Sequence, residues 1–204
     1  KDYRKTYPSE TGEGEFAVNE VPLEVLQENV SKDKLDAYAD AAIVVIGRSG
    51  GESSDLPTKK LSTGVMYLQI DPNEEATLKY ACDNYENVVV IVNSNNAMEL
   101  SFLEIYPVDA CIWIGGIGQT GMYAIGDVLN GTVNPSGRLV DTYAYDSTSA
   151  PSFANLGDYT ITNADPEEMR SDKYLVYGES IYIGYRYYET RYEDVVMERA
   201  NVGK

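Results

Sequence analysis

The sequence predicts an α/β fold in which a mostly parallel sheet is sandwiched by helices. Three continuous apolar runs lead to this prediction, and each has the length of a strand buried on both faces: Ala41–Ile46, Asn87–Asn93 and Val108–Ile114. Helical patterns alternate with these runs, which is typical of a parallel sheet with helices on both sides. Each run ends in small or polar residues, as the ligand-binding edge of such a sheet requires.

Helix signals surround the predicted strands. Asp71 can cap a helix and Pro72 suits the first helical position, while Glu74 and Glu75 favour the positive end of the helix dipole. Gly131 is a stop signal. The predicted helices cover Val21–Tyr38, Asp71 to about Tyr85, Met98–Ile105 and Thr120–Asn130.

The remaining segments set the expected domain organisation. Arg138–Tyr143 could form a fourth strand, and Ser147–Arg170 is a long loop without periodicity. The Tyr cluster Tyr182–Tyr188 fits either strand packing or an aromatic surface for a sugar or a neighbouring domain. We therefore expect an irregular arm over residues 1–15 and an α/β domain over residues 16–146. A loop and an irregular Tyr-rich extension over residues 147–204 should pack on the same domain.

Composition excludes several classes of function. The chain has 33 acidic and 16 basic residues, a net charge of -17, which argues against nucleic acid and anionic membranes as partners. It has no histidine, which removes Ser-His-Asp and Cys-His catalysis and most zinc sites, and no metal or cofactor is predicted. Cys82 and Cys111 fall in a predicted helix and a predicted strand, so we expect both to be packing residues. No apolar run has membrane-spanning length, and both ends look unfinished, as in a fragment of a longer protein.

A glycine-rich loop follows the first predicted strand and holds a candidate catalytic acid. Gly47, Gly50 and Gly51 allow a sharp turn and leave room for a ligand, and Glu52 stands directly after them. The loop is no phosphate site, because G-x-G-x-x-G spacing is absent and an acid at its centre would repel phosphate. Taken alone, the pattern fits a solvated glutamate better than a functional one.

Five motifs in order make this chain resemble glycoside hydrolase family 3, the β-glucosidase family. The resemblance covers roughly Glu15–Thr190 and concerns the α/β sandwich domain beside that family's catalytic barrel. The motifs are Ile43-Val-Val-Ile-Gly-Arg with Ser-Gly-Gly-Glu52, Asn87-Val-Val-Val-Ile-Val-Asn93, Met98-Glu-Leu-Ser-Phe102, Gly118-Gln119 with Ala124-Ile-Gly-Asp-Val-Leu-Asn-Gly131 and Asn134-Pro-Ser-Gly-Arg-Leu139, and Tyr177-Gly-Glu-Ser-Ile-Tyr-Ile-Gly-Tyr-Arg-Tyr-Tyr188.

The resemblance implies a part in retaining hydrolysis of β-linked glycosides, without a cofactor. Retention uses two carboxyl groups about 5–5.5 Å apart. The family's nucleophile is an Asp on the barrel domain, which this chain lacks, and its acid/base corresponds to Glu52. Arg48, Ser49 and Asp55 are then candidate substrate-binding neighbours. The implied partners are a β-linked oligosaccharide or glycoside and the barrel domain, with no membrane contact from this segment. An extracellular or cell-surface location is favoured over a cytoplasmic one.

Departures from the family pattern keep other functions open. Leu56 replaces a usual Arg, Val65 stands in place of the Asp of a Gly-Asp pair, and Thr120 replaces a usual acid. A second hypothesis is a non-catalytic carbohydrate-binding or scaffold domain, and a third is an unrelated doubly wound binding protein of the flavodoxin or regulator type. The sequence leaves open the sugar, the linkage, the domain order and the oligomeric state, and predicts that the isolated chain is inactive.

Overall fold

The computed structural model describes residues 18, 20–50, 55–155, 159–163, 165, 167–168 and 171–196. The chain divides into two compact units, the first ending at Leu139 and the second beginning at Val140. The boundaries predicted at residues 16 and 146, and the packing of residues 147–204 on the α/β domain, stay predictions.

The first unit contains a three-stranded parallel sheet. Its strands are β1 (Ala42–Arg48), β2 (Val88–Ser94) and β3 (Ala110–Trp113), in the order β1-β2-β3. Parallel neighbours need a crossover connection, and helices provide it between each pair. The predicted α/β class and all three predicted strands are therefore confirmed.

Five helices flank this sheet in the described part of the first unit. They are α1 (Leu23–Asn29), α2 (Lys32–Asp36), α3 (Pro72–Asn84), α4 (Phe102–Ile105) and α5 (Met122–Leu129). The predicted Val21–Tyr38 helix is thus two short helices, and the predicted Met98–Ile105 helix begins only at Phe102. As predicted, α3 starts after Asp71: the Asp71 side chain accepts a hydrogen bond from the Asn73 N–H at 3.0 Å. Gly131 ends α5 with a φ of 78°, as its position predicts.

The core of the first unit lies between one face of the sheet and the helices α3 and α4. Alternate strand residues point to this face, and Val44 and Ile46 of β1 lie beside Val90 and Val92 of β2. The two cysteines, Cys82 and Cys111, pack partly buried against this core, as predicted. The buried residues of this core are Val44, Ile46, Leu78, Ala81, Val88, Val90, Val92, Met98 and Phe102.

The opposite face of β1 is not buried, which corrects one expectation. Ile43 and Val45 are 50% and 53% exposed, whereas Ile91 of the neighbouring strand is buried. Val45 and Ile91 are paired and lie on the same face, so the cover over β2 does not extend to β1 within the described residues. A continuous apolar run predicts a strand, but it does not predict how many neighbours cover that strand.

The second unit contains small elements. A 3-10 turn at Ser147–Ser149 and the helix α6 (Pro151–Asn155) begin the segment expected to be a loop. Strands β4 (Tyr159–Thr160) and β5 (Lys173–Tyr174) pair antiparallel. The helix α7 (Tyr185–Val196) takes in the second half of the Tyr cluster that we expected to be irregular.

The predicted fourth strand over Arg138–Tyr143 is wrong. These residues form no ladder with any strand in the described part of the chain, and a strand exists only where a neighbour pairs with it.

No helix within the described ranges is long and apolar enough to span a bilayer. The same ranges contain no group of three or more Cys, Asp or Glu side chains arranged to hold a metal ion.

Candidate functional site

The candidate site is the carboxyl edge of the sheet, where β1, β2 and β3 end. Glu52, the predicted acid/base, lies outside the described residues, together with Gly51, Ser53 and Ser54. Ser49 and Gly50 before it and Asp55 after it are described.

Arg48 is the last residue of β1, and its guanidinium is fully buried. Nη1 and Nη2 each donate to one carboxylate oxygen of Glu74, at 2.6 and 2.7 Å. Nε donates to the Tyr67 carbonyl at 2.6 Å, Nη2 to the Gln69 carbonyl at 2.6 Å and Nη1 to the Gly47 carbonyl at 2.7 Å. These bonds use the five N–H groups that a guanidinium has. Arg48 therefore has no donor left for a ligand, and its predicted substrate contact stays a prediction without support from this hydrogen bonding.

Glu74 joins the end of β1 to the start of α3. Its Oε2 also accepts a hydrogen bond from the Asp71 backbone N–H at 2.9 Å, which completes a capping box. One buried carboxylate thus satisfies both a helix terminus and the Arg48 charge. An Asp followed three residues later by a Glu is a capping signal in the sequence, but nothing in the sequence identifies Arg48 as the third partner.

Tyr67 holds the first residue beyond the β1–β2 ladder. Its side chain is buried, and its hydroxyl accepts from the Ser49 N–H at 2.8 Å and donates to the Ser49 carbonyl at 3.0 Å. The Arg48 guanidinium carbon lies 5.7 Å from the centre of the Tyr67 ring, within the range of a cation–π contact. The sequence offered no signal for Tyr67, because it lies in a segment with few periodic features.

The ends of β2 and β3 pack closely around this region. The Trp113 Nε1–H donates to the Ser94 carbonyl at 2.6 Å, and the Ser94 hydroxyl accepts from the Asn96 N–H at 3.0 Å. A methyl group at Gly50 would lie 2.4 Å from Asn96 Nδ2. A residue with a Cβ at this position would force the Asn96 side chain to shift, so Gly50 permits its close approach, whereas the sequence suggested only room for a ligand.

A second buried carboxylate lies near the Arg48 anchor. Glu99 is 6% exposed, and its Oε2 accepts from Gln69 Nε2 at 3.0 Å, while Gln69 Oε1 accepts from the Met66 N–H at 2.8 Å. Gln69 thus contacts Arg48 through its backbone carbonyl and Glu99 through its side-chain amide. The sequence placed Glu99 in a family motif and assigned it no role.

Of the three predicted neighbours of Glu52, Arg48 and Ser49 share Tyr67 as a partner, and Asp55 is exposed. Substrate contacts by Ser49 and Asp55 stay predictions. The arrangement fixes the backbone that leads from β1 as far as Ser49.

Comparison with known proteins identifies relatives of this chain. The family model described as "Glycosyl hydrolase family 3 C-terminal domain" matches residues 4–185. A β-glucosidase of Ruminococcus albus is 34% identical over 200 residues, 96% of this chain and 19% of that protein. β-Glucosidase A of Butyrivibrio fibrisolvens is 32% identical over 176 residues, 76% of this chain and 19% of that protein.

A solved structure shares the fold. The β-glucosidase from Paenibacillus barengoltzii matches with a TM-score of 0.61 and 29% identity, over 76% of this chain and 15% of that one. This chain therefore spans about a fifth of the length of the curated relatives it matches.

Proposed function

Because this chain belongs to the C-terminal domain family of the family 3 glycosyl hydrolases, we propose that it forms part of a longer β-glucosidase-like enzyme and supplies its general acid/base, Glu52. The observation that carries the proposal is the anchored end of β1. Arg48, Glu74 and Tyr67 fix the backbone as far as Ser49 at the carboxyl edge of a parallel sheet. Ligands of open α/β folds bind at that edge, and Glu52 follows Ser49 by three residues.

The proposed reaction takes two steps at one anomeric carbon. A carboxylate nucleophile from a barrel domain outside this chain attacks that carbon, the glycosidic C–O bond breaks, and the Glu52 carboxyl gives its proton to the leaving oxygen. Water then attacks the same carbon, gives a proton to the Glu52 carboxylate, and releases the sugar from the nucleophile. Glu52 thus acts first as acid and then as base.

The proposed substrate is a neutral β-linked glycoside or oligosaccharide. The net charge of -17 disfavours phosphorylated or otherwise anionic substrates, because an acidic surface repels them. An extracellular or cell-surface location is part of the same proposal, since polymeric β-glycosides are met there.

The test is Glu52→Gln in the longer polypeptide. Substrates with poor leaving groups need the proton most, so we expect their rate to fall by about 10²–10⁴-fold. Aryl glycosides with acidic leaving groups should lose less in the first step, a covalent intermediate should accumulate, and azide should rescue the second step as β-glycosyl azide. Glu28→Gln is the matched control, because it makes the same substitution at an exposed glutamate of α1 that has no proposed part in catalysis or binding.

Near-normal activity of Glu52→Gln on poor leaving groups would overturn the assignment. The isolated 204-residue chain should show no turnover, because it lacks the proposed nucleophile. If the isolated chain released nitrophenol from an aryl β-glucoside at an enzymatic rate, the division of roles between the two domains would be wrong.

A second candidate is a carbohydrate-binding or scaffold domain that has kept the fold and lost the chemistry. The departures at Leu56, Val65 and Thr120 favour it. It predicts that Glu52→Gln leaves both the activity of the longer polypeptide and its affinity for β-linked oligosaccharides unchanged.

A further inference from the structure

We propose that the Tyr67 hydroxyl is a positioning group that holds the backbone at Ser49 and thereby sets the direction in which the chain leaves β1 toward Glu52. The backbone clamp stands on the geometry alone. Its effect on catalysis rests on the proposed function of Glu52.

The clamp acts where the sheet stops holding the chain. The last pair of the β1–β2 ladder is Arg48 with Ser94, so Ser49 is the first residue whose backbone groups have no neighbouring strand to bind. Buried or partly buried backbone N–H and C=O groups need partners, and here one hydroxyl serves both of them. A tyrosine hydroxyl can do this because it donates one hydrogen bond and accepts others.

Tyr67, which holds Ser49, is itself held by Arg48, the residue before Ser49. The Arg48 Nε–H donates to the Tyr67 carbonyl at 2.6 Å, and the Tyr67 ring is 1% exposed. Arg48 is in turn fixed by the two bonds to Glu74 at the start of α3. The hydroxyl therefore sits on a rigid support, so its removal should free Ser49 without disturbing the sheet.

The consequence for catalysis follows from chain length. Glu52 is the third residue after Ser49, with two glycines between them, so we expect a change in backbone direction at Ser49 to alter the position of the carboxyl group. A misplacement of about 1 Å in a reacting group can cost about 10²-fold in rate. We expect loss of the clamp to cost about 10-fold in kcat, with little change in KM, because sugar binding does not depend on the proton donor.

The test compares Tyr67→Phe with Tyr106→Phe in the longer polypeptide. Tyr67→Phe keeps the buried ring and removes the hydroxyl. Tyr106 provides the matched control, because its hydroxyl also donates a hydrogen bond, to the Glu75 carboxylate at 2.8 Å. Glu75 lies on α3, away from the residue that ends β1. Hydrogen exchange resolved at the Ser49 amide should be about 10-fold faster or more in Tyr67→Phe and unchanged in Tyr106→Phe.

Kinetics of the same variants separate positioning from stability. Tyr67→Phe should lower kcat most for poor leaving groups, the pattern expected of Glu52→Gln at smaller amplitude, while Tyr106→Phe should not. Unchanged Ser49 exchange would overturn the clamp, and faster exchange with unchanged kcat would overturn its positioning role. If Glu52→Gln kept normal activity, the proposed function would fall instead, and the Ser49 exchange would still decide whether the clamp exists.

Discussion

The Arg48–Glu74 ion pair offers the sharpest test of how this unit is held together. Both side chains are almost completely buried, with exposed fractions of 0% and 5%. Removing one partner of such a pair leaves an uncompensated buried charge, which costs about 3–5 kcal/mol. Arg48→Met and Glu74→Leu should each lower the free energy of unfolding by that amount, a large share of the 5–15 kcal/mol typical of a domain.

The double variant Arg48→Met/Glu74→Leu should be much less damaged than the sum of the single variants. It contains no buried charge, so what remains is the loss of the capping box and of the donors to the Gly47, Tyr67 and Gln69 carbonyls, together about 2–4 kcal/mol. The single costs add to about 6–10 kcal/mol, so the two changes should deviate from additivity by at least about 2 kcal/mol.

Urea unfolding followed by tryptophan fluorescence measures this directly. Trp113 is the one tryptophan in the sequence and lies in β3, so its emission reports the unit that contains the pair. Lys79→Met is the control, because it breaks an exposed ion pair with Asp83 on the same helix and should cost less than about 0.5 kcal/mol. Additive single costs, or an Arg48→Met cost no larger than that of Lys79→Met, would refute the reasoning.

Two further predictions concern titratable groups. The hydrogen bond to Glu75 raises the pKa of Tyr106 to about 12, so the protonated phenol stabilises the fold fully below its unfolded pKa of about 10 and progressively less up to about 12. Tyr106→Phe should therefore lower the unfolding free energy by about 1 kcal/mol at pH 8 and by less at pH 11 in urea titrations, and an equal loss at both pH values would contradict this. Burial raises the pKa of the Cys111 and Cys82 thiols, so both should react with iodoacetamide at pH 8 far more slowly in the folded chain than in urea, and mass spectrometry showing equal rates would exclude it.

Local sequence signals predicted the elements whose cause is itself local. Asp71 and Pro72 predict the start of α3, because a helix cap and the restricted φ of proline act within one turn. The three apolar runs became strands, as their short length and their content of β-branched residues predict. The Arg138–Tyr143 segment failed for the converse reason: its β-forming residues have no described strand beside them, and pairing is a long-range property.

In the candidate site, too, the sequence predicted what depends on neighbouring residues and missed what depends on distant ones. The position of Arg48 at the end of an apolar strand could be predicted. Its partners Tyr67 and Glu74 are 19 and 26 residues away in the sequence, and no periodic pattern connects such positions. The resemblance made Arg48 a candidate substrate neighbour, which stays a prediction, and its burial and five hydrogen bonds show that it anchors the end of β1.

The glycines that follow Ser49 give a physical reason for an anchor at the end of β1. A segment with Gly50 and Gly51 has more backbone freedom than any other residue type would give it, so holding a carboxyl group beyond it in one place costs more conformational entropy. Two glycines lie between Ser49, which Tyr67 holds, and Glu52. Asn96 Nδ2 lies 2.4 Å from where a Cβ at Gly50 would be, so a glycine there permits the close approach of that side chain. For the proton donor that we propose at Glu52, anchoring the chain at Ser49 lowers the entropic cost of holding the carboxyl group, because fewer residues before it have to be ordered.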